Sequence, residues 1–322
     1  MRLLKRVTAG LMLLGASSLG WAATPLVDVN WIKANSCNSD VRVLDIRNPL
    51  DGGSKTDYLK GHIPCAVHTD YLKGGWRGKV NKVPGQLPPT AKIEKLIGGL
   101  GIDNNTHVVI YHAGKNALDL GSATRVYWTF KVLGHDNVSI LNGGLAAYTK
   151  DKKNKLEKGN NKVDVKTFKA NLRMGMLADK GAVLKAAGDN MLLVDTRPNH
   201  QFIGINRHPK SKRNGTIPGS KNLPESWMTM NGGGTLREVD TLKKLYTLAG
   251  VPTDQEAIYF CNTGHWASLG WFVGSELVGN KNAKLYDGSM VGWIDWGGEV
   301  HDYTDGMGGA IGSAPVASTT AS

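Results

Sequence analysis

Short runs of β-branched and aliphatic residues recur along the chain, separated by longer stretches whose apolar positions return with helical spacing. In the first half the runs are Val41–Ile46, Ala66–His68, Val108–Tyr111 and Val138–Leu141. Between the last two, Gly121–Leu133 reads as a helix. Strand-length apolar runs alternating with amphipathic stretches predict an α/β domain, with a mostly parallel central sheet flanked by helices on both faces.

The pattern then repeats. Val41-Arg42-Val43-Leu44-Asp45-Ile46-Arg47 reappears as Met191-Leu192-Leu193-Val194-Asp195-Thr196-Arg197. Gly61-His62-Ile63-Pro64-Cys65-Ala66 returns as Gly215-Thr216-Ile217-Pro218-Gly219-Ser220. Val108–Tyr111 matches Ala257–Phe260, and Ile140-Leu141-Asn142-Gly143-Gly144 matches Leu285-Tyr286-Asp287-Gly288-Ser289. Matches in the same order at a nearly constant offset of about 150 residues mean two copies of one domain. The copies are expected at 24–150 and 164–303, joined by a polar linker at 151–163. The Gly-, Ala-, Ser- and Thr-rich tail at 304–322 is expected to be disordered.

Residues 1–22 read as a signal peptide: a basic start through Arg2, Lys5 and Arg6, an apolar run from Val7 to Leu19, then Gly20-Trp21-Ala22. Small residues at the positions a signal peptidase reads predict cleavage after Ala22, and a periplasmic or secreted mature protein with no membrane contact of its own. Net charge is +12 and stays strongly positive once that segment is gone, which favours small anionic partners. Nucleic acid is not expected, because the basic clusters at Lys150–Lys158 and Arg207–Arg213 carry no interleaved stacking aromatics. The 9 histidines show no metal-ligand spacing, so neither metal nor cofactor is required. Of the 3 cysteines, Cys37 and Cys65 are the natural pair for a disulfide in an oxidising compartment, which leaves Cys261 free.

Cys261 closes the apolar run Ala257-Ile258-Tyr259-Phe260, and a helical pattern resumes with Leu269, Trp271, Phe272 and Val273. A strand that delivers a cysteine to a loop at a helix N-terminus surrounds the sulfur with orphan N–H groups, and the helix dipole favours negative charge there. Cysteine-dependent phosphatases share this arrangement, but no arginine closes the loop here, so phosphate chemistry is not expected. Together, the tandem pattern, the Gly-His-Ile-Pro turn, the strand-then-Cys loop and the Tyr-Asp-Gly-Ser segment resemble the two-domain rhodanese family of sulfurtransferases. The resemblance covers nearly all of the chain after residue 23.

That resemblance implies a catalytic second copy and a non-catalytic first copy, which holds His112 where the second holds Cys261. It implies that Cys261 takes sulfane sulfur from a donor such as thiosulfate, becomes a persulfide, and yields the sulfur to cyanide, a thiol or a protein cysteine. The loop residues Asn262, Thr263, Gly264, His265, Trp266 and Ala267 are the expected cradle; Asp195 and Arg197, at a strand end, are expected either to pair with each other in a structural role or to border the site as part of its binding set. His265 is expected either to be protonated when an anion binds or to donate a hydrogen bond while neutral. The chain departs from relatives at Gln201, where an arginine often holds the donor; nearby Arg207, Lys210, Lys212 and Arg213 are the candidates to replace it. Ser289 is a further candidate for the pocket rim. Export favours thiosulfate or another sulfane donor over 3-mercaptopyruvate, a cytoplasmic metabolite. The neutral loop also leaves room for a different role, a persulfide or sulfide carrier or an adaptor module without turnover.

Overall fold

The computed structural model describes residues 23–189 and 191–305. The expected signal peptide lies outside the described residues, as does nearly all of the expected tail.

The first copy contains strands β1 (Leu26–Val27), β2 (Val41–Asp45), β3 (Val67–His68), the hairpin β4 (Gly78–Val80) and β5 (Val83–Gln86), β6 (His107–Tyr111) and β7 (Val138–Leu141). The second contains β8 (Leu177–Ala178), β9 (Leu192–Asp195), β10 (Lys221–Asn222), β11 (Ala257–Phe260) and β12 (Ala283–Tyr286). The first sheet runs β1-β7-β6-β2-β3, and the second, read the same way, β8-β12-β11-β9-β10. Every pairing in both is parallel. The repeat read from the sequence is therefore a repeat of central-sheet topology, strand for strand, with the β4–β5 hairpin added in the first copy. Because helices cover both faces, β9 and β11 are buried at every position, which is why they appear as continuous apolar runs and not as alternating ones.

The two recurring motifs are parts of one device. Arg47 pairs with Asp45 (2.6 Å) and donates to the carbonyl of Gly61 (2.8 Å), joining the end of β2 to the Gly-His-Ile-Pro turn. Arg197 repeats this with Asp195 (2.6 Å) and the carbonyl of Gly215 (2.8 Å). Cys37 and Cys65 are bridged, with Cα atoms 5.2 Å apart, which fastens the chain after the first helix to the same turn.

The copies meet through two helices that follow the central strands. Ala117–Val132 starts one turn earlier than the expected Gly121, because Asn116 caps it by accepting from the Asp119 N–H. All but Leu118 and Lys131 of its residues are buried, since it packs against the helix His265–Phe272 of the second copy. Small residues let the axes approach: a Cβ on Gly121 would lie 2.6 Å from His265 Nε2. Thr124 and Ser268 join their hydroxyls across the contact at 3.0 Å. The connection between copies extends beyond the expected 151–163. Its later part packs on the first copy, with the N–H groups of Lys166, Asn171 and Arg173 donating to Gly98, Leu133 and Val132.

Candidate active site

Strand β11 ends at Cys261, and Gly264, at φ +74°, caps the helix that follows. Only glycine takes that left-handed conformation without cost. A Cβ there would also lie 2.5 Å from an Arg125 nitrogen. Cys261 is 1% exposed and forms the floor of a cavity of about 360 Å³. The second copy contributes Asn262, Thr263, His265, Trp266, His208 and Lys210 to its walls. The first contributes Leu50, Leu72 and Leu118, together with Arg77 and the Pro84-Gly85 corner of β5.

Ser289 lies beneath the loop, not at its rim. Its hydroxyl accepts from the N–H of Cys261 (3.1 Å) and of Gly264 (3.0 Å) and donates to the carbonyl of Tyr286 (2.9 Å). To reach both amides it adopts φ +48°, a conformation rare outside glycine. The N–H groups of Met290 and Val291 complete the support by donating to the carbonyls of Cys261 (3.0 Å) and Asn262 (3.1 Å). The first-turn amides of His265, Trp266 and Ala267 have no intrahelical acceptor by position, which makes them available to an anion above the sulfur.

The other expected residues divide. Asn262 turns its amide group to Gln201 Oε1 (2.8 Å), so Gln201 orders the loop where relatives are expected to place an arginine. Of the basic stretch, only Lys210 reaches the cavity wall, beside His208, whose Nδ1 accepts from the Lys210 N–H (3.1 Å). Lys212 pairs instead with Asp295. Asp195 and Arg197 do not line the cavity; the buried pair is committed to the Gly215 turn and to Thr216. Ala267 is fully buried within the first helical turn.

The expectation that His265 protonates on anion binding does not fit its surroundings. Both ring nitrogens are occupied by the first copy: Tyr71 donates its hydroxyl to Nδ1 (2.8 Å), and Nε2 donates to the Leu118 carbonyl (2.7 Å). Burial, and then the nearby positive charge of Arg77, push the imidazole down to about 3. The ring is a neutral wall of the cavity, and it fixes the loop to the neighbouring domain.

Two arginines escaped the sequence reading. A guanidinium nitrogen of Arg77 donates to the Thr263 carbonyl, and its Nε donates to Gly85 (3.1 Å). Arg125, fully buried, donates to the Gly264 carbonyl (2.9 Å) and lies 2.7 Å from Asp287 Oδ1, off the hydrogen-bond axis. Both come from the first copy, so no local motif around Cys261 could reveal them.

Residues 28–151 and 179–295 both match the family described as the rhodanese-like domain. The chain belongs to that family. Similar full-length members include the 3-mercaptopyruvate sulfurtransferase of Escherichia coli, 29% identical over 86% of this chain and 96% of that one. Thiosulfate/3-mercaptopyruvate sulfurtransferase 2 of Arabidopsis thaliana is 30% identical over 84% of each chain. A crystal structure of the Escherichia coli 3-mercaptopyruvate enzyme aligns with a TM-score of 0.71 at 27% identity, over 83% of this chain and 99% of that one.

Within this tandem rhodanese-like chain, the two loops can be compared atom by atom. Leu145 and Ala146 N–H donate to His112 and Ala113 (2.8 and 3.0 Å), as Met290 and Val291 do to Cys261 and Asn262. The first loop nevertheless carries different side chains. His112 replaces the thiol, and Gly144 stands where Ser289 supplies its hydroxyl. The amides of Ala113, Gly114 and Lys115 already hold the carboxylate of Asp119, at 3.1, 2.6 and 2.7 Å.

Proposed function

We propose that the chain is a sulfurtransferase that moves sulfane sulfur through a persulfide on Cys261. The Cys261 thiolate attacks the outer sulfur of a small anionic donor such as thiosulfate. A sulfur–sulfur bond forms to the protein, the bond to the sulfonyl sulfur breaks, and sulfite leaves with the electron pair. A nucleophilic acceptor (cyanide, a thiol or a protein cysteine) then attacks the terminal sulfur, and the thiolate is regenerated. The observation that carries this reading is a free, buried thiol at the floor of a cavity, beneath unpaired helix-start amides and beside Lys210. The anionic terminal sulfur would rest against those amides. Lys210 and the free Nε2–H of His208 would face the donor's oxygens. The sulfurtransferase relatives described above support the same chemistry.

The reading includes export: residues 1–22 would be removed, and the bridge between Cys37 and Cys65 suits an oxidising compartment. The decisive experiment treats the purified mature protein with thiosulfate and weighs it intact. One added sulfur atom is expected, lost on cyanide treatment and absent from Cys261→Ala. No adduct with any sulfane donor, or one that survives in Cys261→Ala, would overturn the proposal. An adduct that forms once without turnover would instead mark a sulfur carrier.

A further inference from the structure

The first copy is more than a lid on the second. A persulfide cradle works only if the loop's carbonyls point outward and its amides inward. The peptide unit is planar and trans, so fixing a carbonyl fixes the direction of the N–H on the other side of the same plane. The plane between Thr263 and Gly264 is gripped at both ends, by Arg77 on the carbonyl and by Ser289 on the N–H. The plane between Gly264 and His265 is held by Arg125 on its carbonyl, which turns the His265 N–H away from the first copy.

The clamps are themselves held. Arg125 is flanked by Asp287 and lies over the Trp128 ring, 4.6 Å from its centroid. Asp287 in turn accepts the N–H of Leu87 (2.6 Å), just beyond the hairpin. Arg77 reaches the loop past Gly85, where a Cβ would lie 2.9 Å from the Thr263 carbonyl. Glycines thus stand where each guanidinium approaches, Gly85 beside Arg77 and Gly264 beside Arg125.

We infer that Arg77 and Arg125 of the first copy are positioning residues for sulfur transfer in the second, holding the Thr263 and Gly264 carbonyls so that the loop keeps the course in which the His265, Trp266 and Ala267 amides face the persulfide while the Gly264 amide stays on Ser289. The inference rests on the sulfurtransferase reading. Its test measures single-turnover persulfide formation by rapid quench and intact mass, over a range of thiosulfate concentrations. The variants are Arg77→Met, Arg77→Lys and Arg125→Lys, the last keeping a cation beside Asp287. The maximal rate should fall about tenfold or more in Arg77→Met, equivalent to ~1.4 kcal/mol. The half-saturating thiosulfate concentration should change less than about threefold, and Arg77→Lys should recover part of the rate. Arg125→Lys should lose rate in the same manner.

A wild-type maximal rate in Arg77→Met would overturn the inference. So would a loss confined to half-saturation, which would make Arg77 a donor ligand. A smaller adduct amplitude at an unchanged rate would also overturn it, since that marks only a less well-folded population. Should Arg125→Lys fail to fold, the Arg77 pair decides alone. If the wild-type chain forms no adduct, the sulfurtransferase reading itself has failed, and that outcome is read before any variant is compared.

Discussion

At the scale of single residues, His265 shows how far surroundings can redirect a side chain. Its ordinary value near 6.5 would make it a switch at physiological pH. Burial, reinforced by Arg77, holds it at about 3 in the folded chain. Between those values the unfolded chain binds a proton that the folded chain refuses, so this residue's contribution to stability is lost as pH falls. Acidifying from about pH 7 to about pH 5 should remove on the order of 2 kcal/mol through His265. Glu225, raised to about 7 by burial and then by Asp195, acts in the opposite sense over part of that range. The measurement is therefore a comparison: urea unfolding of wild type and His265→Gln at both pH values, with wild type losing more. Equal losses would show that the ring is free to protonate in the folded state.

Ser289 acts at the same scale through one oxygen. Ser289→Ala would leave the Cys261 and Gly264 amides without their acceptor beneath the loop, at a cost of about 1–3 kcal/mol. Urea unfolding should show that loss, with slower persulfide formation alongside it.

At the scale of elements, the helix pair and the hairpin do the most for the site. Gly121→Ala would push a methyl group into His265 Nε2 where the two helices pack. Overpacking of this kind costs about 1–3 kcal/mol. Stability and persulfide formation should fall together, as denaturant midpoints and single-turnover rates would show. The strands were legible in the sequence because parallel strands buried on both faces must be apolar throughout, as β9 and β11 are. The hairpin was not. Its exposed Lys79 and Val80, the turn through Asn81 and Lys82 at φ +48° and +68°, and the pair Pro84-Gly85 carry no alternating pattern. Its meaning lies in what it reaches, the Asp287 carbonyl through Gln86 (2.8 Å) and the Asp287 carboxylate through Leu87. Cys261 and its loop could be found locally. Arg77 and Arg125 could not, since each is paired with the loop by the docking of one domain on another.

At the scale of the whole molecule, two copies of one plan carry different side chains at matching loop positions, His112 against Cys261 and Gly144 against Ser289. The repeat, the bridge between Cys37 and Cys65 and the free Cys261 together predict a labelling pattern. Alkylation under denaturing, non-reducing conditions should mark Cys261 alone, and all three cysteines after reduction. Labelling of all three without reduction would mean that the bridge does not form. Asp195 and Arg197 belong to this scale too. The sequence left them either paired with each other or at the border of the site, because they sit at the end of a central strand, and a strand end faces either the cavity or the turn that braces it. Here it is the turn, in both copies.

The carboxylate of Asp119 in the first loop also bears on how the molecule counts its ligands. A tandem repeat suggests two binding events per chain, yet one of the two anion seats carries a permanent occupant attached to the backbone. Sulfite, the leaving group of a thiosulfate reaction, should therefore saturate at one equivalent per chain in a calorimetric titration, with a single affinity and no second phase. If Asp119 closes the first seat in this way, the duplicated protein should behave as a one-site molecule, and its product inhibition should follow a simple hyperbola.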